Sequence, residues 1–112
     1  MTPAKYYLDD ERKAPEGWVP VRDPRSMLVI VTLAREDEIK AISFDHDLGT
    51  YDPQGRELTG YWVLSRIEEL VASSDWYKMI VPDDLRVHSA NAGIYKKMEQ
   101  AIESIRRLKN ER

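Results

Sequence analysis

The run Lys40-Ala41-Ile42-Ser43-Phe44 passes without a break into Asp45-His46-Asp47-Leu48-Gly49. The first five residues read as a buried strand, and the next three end it in two carboxylates and an imidazole. In an open α/β sheet, ligands bind beyond the carboxyl ends of the strands. Two other segments repeat the pattern. Lys5 to Leu8 runs into Asp9-Asp10-Glu11-Arg12, and Leu85 to Val87 runs into His88-Ser89-Ala90-Asn91. Both histidines of the chain fall in these clusters, so one sheet edge is expected to collect all three.

Outward from these segments, Trp18 to Val21 is a second short β-like stretch, preceded by the turn residues Pro15 and Gly17. Asp23-Pro24 reads as a helix start, with Asp23 as N-cap and proline in the first helical position. That signal assigns the apolar run Met27 to Ala34 to a helix. A polar loop with Pro53, Gly55 and Gly60 precedes a second helix, whose apolar face carries Val63, Leu64, Ile67, Leu70 and Val71. Met79 to Val81 and Leu85 to Val87 flank Pro82-Asp83-Asp84. The last helix shows Ile94, Met98, Ala101, Ile102, Ile105 and Leu108 on one stripe, with Asn91 as its cap. The order strand, strand, helix, strand, helix, strand, helix predicts an α/β domain: about four mainly parallel strands with helices on both faces. Only about seven residues link the first two strands, fewer than a parallel crossover usually needs. Either that crossover is degenerate, or the second strand lies at an edge in another orientation.

The 112 residues suit a single domain over 1–112. With no cysteine, disulfides and thiolate metal sites are excluded. No apolar run is long enough to span a bilayer, and the start at Met1 to Tyr7 lacks a signal-peptide pattern, so a cytoplasmic protein is expected. A net charge of −3, with both signs mixed along the chain, argues against a protein that grips a nucleic-acid backbone over many contacts. The basic bias of Arg106, Arg107, Lys109 and Arg112 suits a helix C-terminus.

The clusters carry a definite chemistry. Asp9, Asp10, Asp45 and Asp47 cannot share a small volume as unpaired anions, and a hard cation such as Mg²⁺ or Mn²⁺ relieves their repulsion. His46 and His88 can exchange protons near neutral pH. Arg12 offers a bidentate phosphate clamp, and Ser89, Asn91 and the amides entering the last helix offer donors to phosphate oxygens. Each residue also has a plain structural reading. A lone aspartate is most often a turn or cap residue, and His88-Ser89 with Asn91 reads equally as a strand end and a helix cap. Glu11 and Asp83-Asp84 read as solvated turns, and Trp18, Trp62 and Trp76 as core or rim packing.

Leu8-Asp9-Asp10-Glu11-Arg12, Ser43-Phe44-Asp45-His46-Asp47-Leu48-Gly49, Gly60 opening a helix, and His88-Ser89-Ala90-Asn91 with Gly93 together resemble the cyclic-phosphate-processing receiver-like domain. These are small proteins, frequent in phages and bacteria, and related to response-regulator receivers. The resemblance covers Tyr6 to Met98. It implies a reduced three-layer, receiver-like (flavodoxin-like) fold with an acidic pocket. Asp9 and Asp10 match the receiver's metal-binding pair, Asp45 or Asp47 its acidic residue after the third strand, and Ser89 its hydroxyl residue. The resemblance implies a metal-dependent phosphoesterase for cyclic phosphates, at RNA ends or in cyclic nucleotides. Metal would sit on Asp9, Asp10 and Asp45, phosphate on Arg12, Ser89 and Asn91, and catalysis on His46, His88 and Asp47. No strand with a phosphate-contacting lysine follows the His88 cluster, which disfavours phosphorelay signalling. The alternative expectation is a non-catalytic receiver-like module, a phage protein binding a host partner.

Overall fold

The computed structural model describes residues 2–111; Met1, and Arg112 of the basic tail, lie outside the described residues. The chain order is β1 (Ala4–Leu8), β2 (Trp18–Val21), α1 (Pro24–Leu33), β3 (Ile39–Phe44), β4 (Thr50–Tyr51), β5 (Glu57–Leu58), α2 (Gly60–Ser73), α3 (Asp75–Ile80), β6 (Asp84–Val87) and α4 (Ala92–Lys109). Helix starts follow their local chemistry. Asp23 accepts from the Arg25 amide, Thr59 from the Trp62 amide, and Asn91 from the Ile94 amide.

Four strands form one sheet in the order β2-β1-β3-β6, and every pairing is parallel. The short link therefore joins parallel strands, with β2 at the edge. The chain moves from β1 to one side, then crosses back over it to β3 and on to β6. Right-handed crossovers place the β2–β3 and β3–β6 connections on one face and the β1–β2 connection on the other. Residues 9–17, which form that last connection, contain no helix.

A receiver-like α/β domain with four parallel strands is thus what forms, and its reduction falls on one face. Leu8, Val21, Ile42, Phe44 and Leu85 pack with Met27 and Val31 of α1, Ile67 of α2, Ile80 of α3 and Ile102 of α4 in a single core. Lys5, Tyr7, Trp18, Ala41, Ser43 and Arg86 alternate with those strand residues and take no part in it. Helices cover one face rather than both. The other face packs on itself: the Trp18 ring has Lys5 Nζ 5.1 Å and the Arg86 guanidinium 5.2 Å from its centroid, with Tyr7 edge-on at 6.3 Å.

Two elements were not apparent in the sequence. The polar loop folds into the β4–β5 hairpin, closed by Asp52, whose carboxylate accepts from the amides of Gln54 and Arg56. The stretch before Val81 is the short helix α3. Among the described residues, no helix is long and apolar enough to cross a membrane.

Candidate functional site

The sheet's hydrogen-bond ladder continues one residue past each strand. Asp9 N–H donates to Val21 O (3.0 Å), Asp45 N–H to Leu8 O (2.9 Å), and His88 N–H to Phe44 O (3.0 Å). Asp9, Asp45 and His88 therefore stand side by side along the carboxyl edge, at the point where strand order reverses.

Asp9 is almost completely enclosed, at 1% exposure. Its Oδ1 accepts from the amides of Glu11 (2.9 Å) and Arg12 (2.8 Å), which folds the following residues into a turn. Its Oδ2 lies 3.1 Å from His88 Nε2. Burial alone would raise its pKa. The two amides and the histidine outweigh that effect and hold it below the ordinary carboxylate value. Asp45 has one such amide, from His46 at 2.9 Å. Burial, reinforced by the charge of Asp9, raises its pKa to about 6.

Asp9, Asp10 and Asp45 each offer a carboxylate oxygen within 4.8 Å of the others. They line a cavity of about 380 Å³ with Glu11, Arg12, Asp47, Gly49, Glu57 and Ala90. Six carboxylates face a single guanidinium there. Hard oxygen donors in that number, one of them driven towards protonation, match a divalent cation such as Mg²⁺ or Mn²⁺ in both charge and donor type. A larger groove of about 600 Å³ between α2 and α4 holds no such convergence. In that groove Ser104 bonds Glu68, and Lys97 lies over the Tyr61 ring.

Two glycines make the edge possible. A Cβ on Gly60 would lie 1.8 Å from Asp45 O, so α2 starts this close to the Asp45 loop only because residue 60 has no side chain. Its amide donates to His46 O at 3.0 Å. Gly49 adopts φ of 62°, a left-handed conformation suited to glycine, beside Asp10.

Of the residues nominated from sequence, Asp9, Asp10, Asp45, Asp47 and Arg12 line the cavity. Arg12 is half-exposed and donates through a terminal nitrogen to His88 O at 2.6 Å. His88 lies behind Asp9, its side chain 15% exposed, and does not line the cavity. Burial lowers its pKa despite the opposing pull of Asp9. His46 does not line the cavity either, and its Nδ1 is buried without a partner. Ser89 Oγ accepts from the Asn91 amide and Asn91 Oδ1 from the Ile94 amide, so both are committed to the start of α4.

Three contributors were missed. Glu57 reaches the rim from the hairpin, whose signal was the turn sequence Asp52-Pro53-Gln54-Gly55. Glu11, read as a solvated turn, lines the cavity. Arg22 follows β2 at the same edge and donates to the carbonyls of Asp9 (2.9 Å) and Arg12 (2.5 Å), stapling the Asp9–Arg12 loop. Its position directly after a strand was the available clue.

No curated protein and no solved structure matches the chain. Residues 4–104 match the family model of the cyclic-phosphate processing receiver domain, a span that runs from β1 into the last turns of α4. The acidic edge, the parallel sheet and this match agree, and the chain belongs to the cyclic-phosphate processing receiver domain family.

Proposed function

We propose that the chain is a divalent-cation-dependent phosphoesterase that opens cyclic phosphates, at RNA ends or in cyclic nucleotides. The observation that carries this proposal is the convergence of Asp9, Asp10 and Asp45 within 4.8 Å at the strand-order reversal. An anionic substrate would be repelled by six carboxylates, so the cavity suits phosphate only with a cation present. Asp9, Asp10 and Asp45 would hold Mg²⁺ or Mn²⁺, which when bound supplies positive charge to the phosphoryl oxygens.

The remaining roles follow from what lines the cavity. Arg12 keeps N–H groups free of its bond to His88 O, and these can bind a non-bridging phosphate oxygen. Opening a cyclic phosphodiester consumes one water: a P–O bond forms to the water oxygen, and one ring P–O bond breaks. Asp47, exposed at the rim, takes the water's proton, and the departing oxygen leaves as a hydroxyl after protonation from solvent. His88 acts behind Asp9 rather than on the substrate.

Incubation with 2′,3′-cyclic nucleotides and Mg²⁺ or Mn²⁺ tests the proposal. Turnover that Asp10→Asn abolishes supports it, and none above that variant in several cations overturns it. A second reading, a module that binds a partner protein without turnover, is favoured by one observation: neither histidine lines the cavity. It calls for a cation-independent complex and no turnover.

A further inference from the structure

The ring of His88 is held on every side. Its Nδ1 lies 2.6 Å from Ser43 Oγ, and its Nε2 lies 3.1 Å from Asp9 Oδ2. Its main-chain N–H and C=O are taken by Phe44 O and by Arg12. Tyr7 lies parallel to the ring, 3.9 Å between centroids at 8°. No polar atom of His88 is left for a substrate. Ser43, the penultimate residue of β3, is 6% exposed, and its hydroxyl has the imidazole as its hydrogen-bonding partner.

Donor and acceptor capacities decide the proton's place. An ionised Asp9 can only accept, so Nε2 must carry the hydrogen that joins them. In the neutral ring Nδ1 is then an acceptor, and the Ser43 hydroxyl must donate to it. Register delivers the three partners: Tyr7 pairs with Ser43 and Ser43 with Arg86, two residues before His88 and on the same side of the sheet.

We infer that Ser43 and Tyr7 are positioning residues: they lock His88 as its Nε2-protonated tautomer, and through it they fix the Asp9 carboxylate for the cation. The inference rests on the proposed cation site, and no helix layer covers this face to hold the ring otherwise. Partners one shell behind a ligand that set its orientation typically affect metal affinity by about 10–100-fold.

The test uses the full chain labelled with ¹⁵N-histidine. Long-range ¹H–¹⁵N spectra of the metal-free protein at neutral pH are expected to show His88 protonated at Nε2 only. Ser43→Ala is expected to mix the tautomers and weaken Mg²⁺ binding by about 10-fold, with Ser43→Thr restoring both. Tyr7→Leu should broaden the His88 ring signals, whereas Tyr7→Phe, which keeps the stack, should not. A wild-type ring protonated at Nδ1 or at both nitrogens overturns the inference. So does Ser43→Ala with unchanged tautomer and affinity. Should Ser43→Ala not fold, the wild-type tautomer and Ser43→Thr decide. The tautomer is read without metal, so a wild type that binds no cation overturns the proposed function while leaving this test in force.

Discussion

Replacing Asp45 by Asn should make the metal-free protein more stable, although it removes a residue of the candidate site. Asp45 is 9% exposed, and its pKa rises from 3.8 to about 6 on folding, through burial and the nearby charge of Asp9. A proton therefore favours the folded state between those values. At pH 7 the charged form costs the fold about 3 kcal/mol, from roughly two pK units at about 1.4 kcal/mol each. Asparagine keeps an oxygen for the His46 amide and removes the charge. Urea unfolding in EDTA, followed by tryptophan fluorescence, should find Asp45→Asn more stable by about 3 kcal/mol at pH 7. The gap should narrow as pH falls through 6 and close near pH 4. Excess Mg²⁺ should narrow the gap: at 100 times its dissociation constant it stabilises the wild type by about 2.7 kcal/mol, and the variant by less. A variant no more stable than wild type at pH 7 in EDTA, or a gap independent of pH, would refute the reasoning.

Further substitutions separate the roles of neighbouring residues. Gly60→Ala should drive α2 away from the Asp45 carbonyl, costing about 3 kcal/mol by overpacking and weakening Mg²⁺ binding; denaturation and calorimetric titration check both. Asn91→Ala should cost about 1 kcal/mol as a lost cap and leave cyclic-phosphate turnover, measured in the folded protein, unchanged. Arg22→Ala should free the Asp9–Arg12 loop, seen as faster amide exchange at Glu11 and Arg12 and a several-fold loss of Mg²⁺ affinity, with α4 unaffected.

Much of the fold was legible because local chemistry and final structure agree. Asp23-Pro24 and Asn91 cap the helices they were expected to cap, and three polar clusters do follow three adjacent parallel strands. The family resemblance was carried by those same segments, and the family match bears it out. The missing helix layer was visible only as a short link after Leu8. Nothing local said whether Trp18 to Val21 would pair parallel, because orientation depends on the partner strand and the path of the link, and the segment's own residues suit either. The hairpin escaped notice because two-residue strands carry no periodicity.

The histidines show a different limit. Position after a strand places a residue at the edge, but alternation decides which way it points. Carried one step past β6, alternation puts His88 on the side of Arg86, with Tyr7 and Ser43. Carried past β3, it separates Asp45 from His46, whose Nδ1 ends up buried. The period was in the sequence, and applying it beyond Leu8, Phe44 and Val87 puts Asp9, Asp45 and His88 on one side and His46 on the other.

The most direct test of a cation site at this edge is a residue-resolved NMR titration of the metal-free protein with Mg²⁺, and with Mn²⁺ for line broadening. Changes centred on Asp9 to Arg12, Asp45 to Gly49 and Ala90 are expected, absent in Asp10→Asn. No response there, or one centred on the groove between α2 and α4, would contradict it.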